Sequence, residues 1–115
     1  MKLLLVVSLA LGLLSTPALA QYKYTGNALK EHCDNTYVWC LQFIAGVYSA
    51  MLVMEDAYVS SGQLQRASFC PDRANVTFQQ VTDITRKYMQ ENPEVLHRHA
   101  GDVTTAAIYL AFPCE

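Results

Sequence analysis

Three histidines are the residues of this sequence best suited to proton transfer at neutral pH: His32, His97 and His99. His97 and His99 stand two apart on a predicted helix, so they point to different sides and cannot hold one metal ion together. The serines considered as nucleophiles are Ser60, Ser61 and Ser68. None of them lies in a G-x-S-x-G motif, the nucleophile elbow of hydrolases. The sequence therefore predicts no catalytic residue, no metal site and no cofactor site, and we expect no enzyme.

Four cysteines carry the other chemistry that the sequence offers, and they are Cys33, Cys40, Cys70 and Cys114. An even number in a short exported chain is typical of disulfides, and the spacings lack the close pairs of zinc sites. In an up-and-down helical bundle Cys70 and Cys114 fall at one end and the other two at the opposite end. This arrangement favours the pairs Cys33–Cys40 and Cys70–Cys114. A Cys40–Cys70 pair is the alternative, because the polar loop before Cys70 is long enough to run back along the helix.

The first 20 residues have the pattern of an export signal. Lys2 precedes an apolar run from Leu3 to Leu14, and Ala18-Leu19-Ala20 is an A-x-A cleavage pattern. We expect residues 1–20 to be a cleaved signal peptide and residues 21–115 to form a single domain. A retained membrane anchor is the alternative, but the run is short for a span.

Helical patterns recur along the exported part, whereas no segment alternates as a strand would. Asn27 is the predicted N-cap of a short helix that reaches Cys33. A third helix is predicted to open at Thr77, with Gln80 completing a capping box. Its predicted buried face consists of Phe78, Val81, Ile84 and Tyr88. The fourth helix is predicted to start after an Asn92 cap at Pro93 and to stop at Pro113, with a weak point at Gly101.

The second predicted helix, residues 37–58, is the most apolar, and Tyr37 to Met54 contains no charge. Its helical stripe is Cys40, Ile44, Val47, Met51, Met54 and Tyr58. A helix of this length and composition could be a membrane span or a core helix. The polar and small residues within residues 37–58 favour a core helix wrapped by its neighbours. A second subunit could also cover the excess apolar surface, with Gly46 and Ala50 allowing close approach. The predicted fold is therefore all-α, a compact bundle of four to five helices stapled by two disulfides.

The net charge of the exported part indicates which classes of binding partner are excluded. Without Lys2, seven basic residues face ten acidic ones, and no basic stripe exists. This balance argues against nucleic acid and against an anionic membrane surface as partner.

Four ordered segments resemble the Rap/Tai family, small exported proteins that protect bacteria against type VI secretion amidase effectors. The segments are CLQFIAGV, CPDRANVTFQQV, YMQENPEVLHRHA and AAIYLAFPC. The matching positions are Cys40, Ile44, Gly46, Val47, Cys70, Pro71, Val76, Thr77, Tyr88, Asn92, Pro93, Glu94, His97, Ala100, Phe112, Pro113 and Cys114.

The resemblance implies an all-α periplasmic immunity protein, often a homodimer, without catalytic activity. It implies that the protein binds a peptidoglycan amidase and blocks its active-site cleft through a helix and a protruding loop. The blocking residues are not part of the shared motif. Our candidate is the segment before Cys70, where apolar side chains stand in a polar and exposed setting, and its predicted contact residues are Gln63, Leu64, Gln65, Arg66 and Phe69. The same segment can equally be a plain connector.

Two other functions fit the sequence. A small periplasmic acid chaperone would also be helical, disulfide-bonded and dimeric, and the three histidines would gain charge as the pH falls. A secreted carrier of apolar ligands would use the apolar second helix. The immunity function is the leading prediction, because the chain lacks the lysine-rich, carboxylate-poor composition that would favour an acid chaperone, and the carrier function depends on the apolar helix alone.

Overall fold

The computed structural model describes residues 24–115, which form four α-helices. They are α1 (Gly26–Asn35), α2 (Tyr37–Ser60), α3 (Phe78–Glu91) and α4 (Ala100–Ala111), and a 3₁₀ helix, Pro93–Val95, lies between α3 and α4. Within this range the β-type pairing is an isolated bridge between Thr25 and His99. The predicted all-α class is confirmed. The predicted signal peptide, residues 1–20, lies outside the described residues.

Helix α1 begins two residues before the predicted cap. Thr25, not Asn27, is the N-cap, and its Oγ1 accepts a hydrogen bond from the Ala28 N–H at 3.3 Å. The tertiary structure sets this start, because the Gly26 N–H donates to the Arg98 carbonyl at 2.9 Å. Gly26 is buried, and a Cβ there would lie 3.0 Å from a Val103 methyl and 3.1 Å from the Leu96 backbone. A residue with a side chain would hold α1 away from this junction.

Helix α2 buries one side only. Its buried row is Cys40, Ile44, Tyr48, Met51 and Glu55. The predicted stripe differs from this row at Val47, which is half-buried, and after Met51, since Met54 is 53% exposed and Tyr58 is 41% exposed. The prediction that neighbouring helices wrap α2 is wrong: they pack on one face, and 17% of its most apolar window is buried. The length and composition of α2 would also allow it to cross a membrane. Core helices of soluble proteins meet the same two criteria.

Helix α3 carries the predicted capping box, and its buried face matches the prediction in part: Val81 is buried and Ile84 and Tyr88 are half-buried. The Gln80 N–H donates to Thr77 Oγ1 at 3.1 Å, and the Thr77 N–H donates to Gln80 Oε1 at 2.8 Å. The buried residues are Val81, Thr82, Thr85 and Met89, whereas Phe78 is 47% exposed. Each buried threonine hydroxyl donates to the carbonyl four residues earlier, so a threonine row can replace the predicted apolar row without an unpaired polar group.

The predicted fourth helix is interrupted before Gly101. Asn92 does not cap it; the Asn92 side-chain amide donates to the Tyr88 carbonyl at 2.9 Å and so terminates α3. After the 3₁₀ helix, the chain turns at Leu96 and His97, pairs with Thr25 at His99, and enters α4 at Ala100. The docking of α1 therefore determines the break, because its first two residues bond to the Leu96 and Arg98 carbonyls.

Two disulfides join the ends of these helices. Cys33 pairs with Cys40 across the short turn between α1 and α2, and Cys70 pairs with Cys114 after α4. The favoured pairing is confirmed, and the Cys40–Cys70 alternative is wrong. The apolar centre between the helices includes Leu29, Ile44, Val81, Met89, Val103 and Ile108, all at most 2% exposed.

Candidate binding surface

The three histidines are exposed. The Tyr24 hydroxyl lies 2.7 Å from His32 Nδ1, and the His32 ring packs edge-on against Trp39 at 4.5 Å between centroids. His97 Nδ1 lies 3.0 Å from the Glu94 carbonyl oxygen, and His99 precedes α4. Among residues 24–115, no group of three His, Cys, Asp or Glu side chains could hold a metal ion.

The polar loop, residues 61–69, connects α2 to the second disulfide. At its start the Leu64 N–H donates to the Tyr58 carbonyl at 3.1 Å, and Gly62 has φ 76°, a left-handed conformation that favours glycine. Gln63, Gln65 and Arg66 are exposed, and Leu64 is half-buried. The loop therefore turns tightly after α2 and presents a short polar segment to solvent.

Phe69 corrects the sequence prediction. We expected an exposed side chain, but Phe69 is 2% exposed and its ring packs edge-on against Tyr109 at 5.2 Å. The neighbouring anchor explains this, because the Cys70 N–H donates to the Phe112 carbonyl at 2.8 Å and Cys70 is bonded to Cys114. These bonds draw the end of the loop onto α4, where an aromatic side chain is buried. Phe69 is thus an anchor of the loop, and its side chain is not available to a partner.

Glu55 is a residue that the sequence prediction missed. It is 4% exposed, and both of its carboxylate oxygens lie 2.9 Å from Ser68 Oγ, which donates to them. The Ser68 backbone N–H also donates to Glu55 Oε1. Glu55 follows Met51 by four residues and so fits the buried row, but Met54 follows it by three and fits helical spacing as well, so the sequence pattern did not single out Glu55.

An ion pair joins the end of α2 to the segment that follows Cys70. The Arg73 guanidinium donates two hydrogen bonds to Asp56, at 2.9 and 2.7 Å. The hydrogen bond from Arg73 lowers the pKa of Asp56, and the same bond raises the pKa of Arg73. Burial raises the pKa of nearby Tyr48, against the opposing charge of Arg73. Arg73 is therefore held by Asp56, which leaves Arg66 as the cation of the polar loop.

Helix α2 exposes an uncharged face opposite its buried row. Gly46, Ala50, Val53, Met54 and Ala57 are exposed and follow one another at helical spacing. Val53 is 69% exposed, and nothing lies within 4 Å of where a Cβ at Gly46 would stand. We refer to these five residues as the α2 face.

A shallow groove of about 340 Å³ lies between α3 and the C-terminal segment. Its lining residues are Val76, Gln80, Asp83, Ile84 and Phe112. None of the residues predicted to contact a partner lines it, so the groove and the polar loop are separate features.

Comparison with known proteins identifies the family. Residues 25–114 match the family model of the Rap1a immunity proteins. No curated protein and no solved structure matches the chain. The match spans the whole described helical body, including both disulfides, the polar loop and the α2 face. The resemblance seen in the four sequence segments is thereby confirmed, and the chain belongs to this family.

Proposed function

As a member of the Rap1a immunity protein family, this chain, we propose, binds a peptidoglycan amidase delivered by a type VI secretion system and blocks its active site. The observation that carries the proposal is the family match over residues 25–114. We further propose that the chain catalyses no reaction itself and acts by occlusion. Binding then depends on the shape and charge of its surface.

We place the protein in the periplasm, where the peptidoglycan cross-links lie. Residues 1–20 would be removed as a signal peptide, leaving the single domain of residues 21–115. The disulfides Cys33–Cys40 and Cys70–Cys114 suit this compartment, because its thiol chemistry is oxidising and keeps such bonds formed.

The polar loop supports the proposal as the inhibitory element. It is anchored at Tyr58, Ser68 and Cys70, so little conformational freedom is lost when its exposed part enters a cleft. Arg66 is the only charged residue between Asp56 and Asp72. Gln63, Leu64, Gln65 and Arg66 are the proposed contact residues, and Phe69 supports them from the core.

The decisive experiment mixes the purified, disulfide-bonded protein with the amidases encoded beside it and measures muropeptide cleavage. Inhibition at near-equal concentrations is expected, and unchanged cleavage by every neighbouring amidase would end the proposal. Arg66→Ala should weaken inhibition about tenfold or more, as truncation of a central interface arginine does. The matched control is Arg98→Ala, an exposed arginine between the 3₁₀ helix and α4, which should inhibit like the wild type.

We also propose that the protein forms a homodimer through the α2 face. An uncharged, exposed helical face of this kind is typical of surfaces covered by another subunit, and small residues at Gly46 and Ala50 allow two helices to approach closely. Gly46→Leu should yield a monomer by light scattering. Gly101→Leu is the control, because a Cβ at Gly101 also meets no atom within 4 Å but lies on α4.

The acid-chaperone alternative would use the same α2 face to hold unfolded clients. It predicts that aggregation of a client protein at low pH is suppressed by the wild type and not by a variant with charges on that face. Immunity predicts inhibition of an amidase at neutral pH, where a chaperone would have no effect on cleavage.

A further inference from the structure

Glu55 is an acidic side chain at the end of the buried row of α2, directly after the uncharged segment from Tyr37 to Met54. It is 4% exposed, while Asp56 beside it is exposed and paired with Arg73. Burial of a carboxylate is unfavourable unless hydrogen bonds replace the lost water. A leucine or methionine would continue the buried row without this cost, so the contacts of Glu55 must account for its presence.

All hydrogen bonds of the Glu55 carboxylate in the described residues come from Ser68. The Ser68 hydroxyl lies 2.9 Å from both oxygens, and the Ser68 backbone N–H donates to Oε1. Among residues 24–115 no Lys or Arg forms an ion pair with Glu55; the nearby charge of Arg73 interacts with Glu55 electrostatically, but its hydrogen bonds go to Asp56. The carboxylate thus binds a single residue of the polar loop, at the point where the loop returns to the core.

Ser68 directly precedes two residues whose positions are fixed by contacts with the rest of the fold. Phe69 is buried against Tyr109, and Cys70 is bonded to Cys114. Upstream, the loop is held by the Leu64 N–H to Tyr58 carbonyl bond. Between these points Gln65 and Arg66 are exposed, and Ala67 is half-buried with its carbonyl oxygen 3.4 Å from Cys114 Sγ. The Glu55–Ser68 contact therefore closes the base of the exposed segment.

We propose that Glu55 is a positioning residue that holds the exposed part of the polar loop in its binding conformation through Ser68. This inference rests on the proposed function for its consequence, because a loop ordered in advance loses less entropy when it binds. Glu55 itself touches no partner. Its action on affinity passes through the Ser68 N–H and hydroxyl.

The test uses the full disulfide-bonded protein and has two readouts. Hydrogen exchange of the free protein measures protection of the segment 61–69, and titration with the amidase that the wild type inhibits measures Kd. Glu55→Gln keeps the size of the side chain but removes the charge from its hydrogen bonds. Ser68→Ala removes the hydroxyl and retains the backbone N–H. Glu31→Gln, an exposed position on α1, is the matched control.

For Glu55→Gln we expect exchange at Ser68 and its neighbours to rise about ten- to a hundredfold, as loss of a charge-assisted hydrogen bond implies, with helices α1, α3 and α4 unchanged. Kd should rise by a similar factor, Ser68→Ala should give a smaller effect of the same kind, and Glu31→Gln should give none. Unchanged exchange in the segment 61–69 would overturn the inference. Uniformly raised exchange in all helices would also overturn it, because Glu55 would then act on the whole fold.

The two proposals fail separately. If no amidase binds the wild type, the proposed function is lost, and the exchange experiment still decides whether Glu55 orders the loop. If the wild type binds and both variants bind equally well, the positioning role is refuted while the immunity function stands.

Discussion

Removal of the Cys70–Cys114 disulfide is the perturbation that tests most directly how the polar loop and α4 are held. The two cysteines are 44 residues apart in sequence. In the chain-entropy description a cross-link of this span restricts the unfolded chain by about 4 kcal/mol at 25 °C. Cys70 is exposed and Cys114 half-buried, so replacement of both by alanine leaves no large cavity. The expected loss of unfolding free energy is therefore about 4 kcal/mol.

The assay is urea denaturation followed by circular dichroism, without reductant, for the wild type and the Cys70→Ala/Cys114→Ala variant. A loss of this size is a large part of the stability of a small domain, so a low temperature keeps the variant folded at the start. The slope of free energy against urea is compared as well, because a less restricted unfolded state exposes more surface.

The same variant provides an internal comparison. Reductant now opens only Cys33–Cys40, whose residues are seven apart, and the buried sulfur atoms stay in place. The further loss should be about 2.4 kcal/mol by the same entropic relation. A loss below about 1 kcal/mol for the 44-residue cross-link, or a larger loss for the seven-residue one, would refute reasoning based on chain entropy.

Three further predictions test other parts of the fold. Gly26→Ala should lower the unfolding free energy by about 1–3 kcal/mol, because its Cβ would meet Val103 and the Leu96 backbone at 3.0–3.1 Å. Gly101→Ala lies in open space and should raise the unfolding free energy by up to about 1 kcal/mol. Urea titration of both variants distinguishes the two effects. Thr77→Ala should cost about 1 kcal/mol through loss of the capping box, measured in the same way, and an unchanged midpoint would contradict the cap assignment. The hydrogen bond from Arg73 lowers the pKa of Asp56, so the pair stabilises the folded state above the ordinary aspartate pKa and this contribution disappears as the pH falls through the lowered value. The stability difference between the wild type and Asp56→Asn should accordingly shrink on acidification below about pH 4, and a difference that grows there would contradict the assignment.

Local rules accounted for the features whose causes lie within a few residues. The Thr77–Gln80 capping box depends on side chains three positions apart, and it was predicted correctly. The disulfide pairing also followed from helix order, because an up-and-down path brings Cys70 and Cys114 to one end. The residues predicted to contact an effector, apart from Phe69, stay predictions for the binding experiments.

The features that sequence patterns misplaced have their causes far along the chain. Thr25 and Asn27 are both local N-cap candidates for α1, and the choice of Thr25 goes with hydrogen bonds to the carbonyls of residues 96 and 98, about 70 positions away. Glu55 and Asp56 are adjacent acidic residues, a pattern typical of a helix that reaches solvent, yet Glu55 lies on the buried row and is contacted by Ser68. Phe69 looked exposed because its neighbours in sequence are polar, whereas its neighbours in space are Tyr109 and the second disulfide.

A disulfide-bonded, all-α member of an immunity family could be predicted from the amino-acid sequence, because helix periodicity, caps, cysteine number and motif order are local or ordered along the chain. Which side of α2 is covered, and how the polar loop is anchored, became visible in the folded chain. Those outcomes depend on contacts between distant segments, and α2 is so uniformly apolar that its own pattern does not select a buried face.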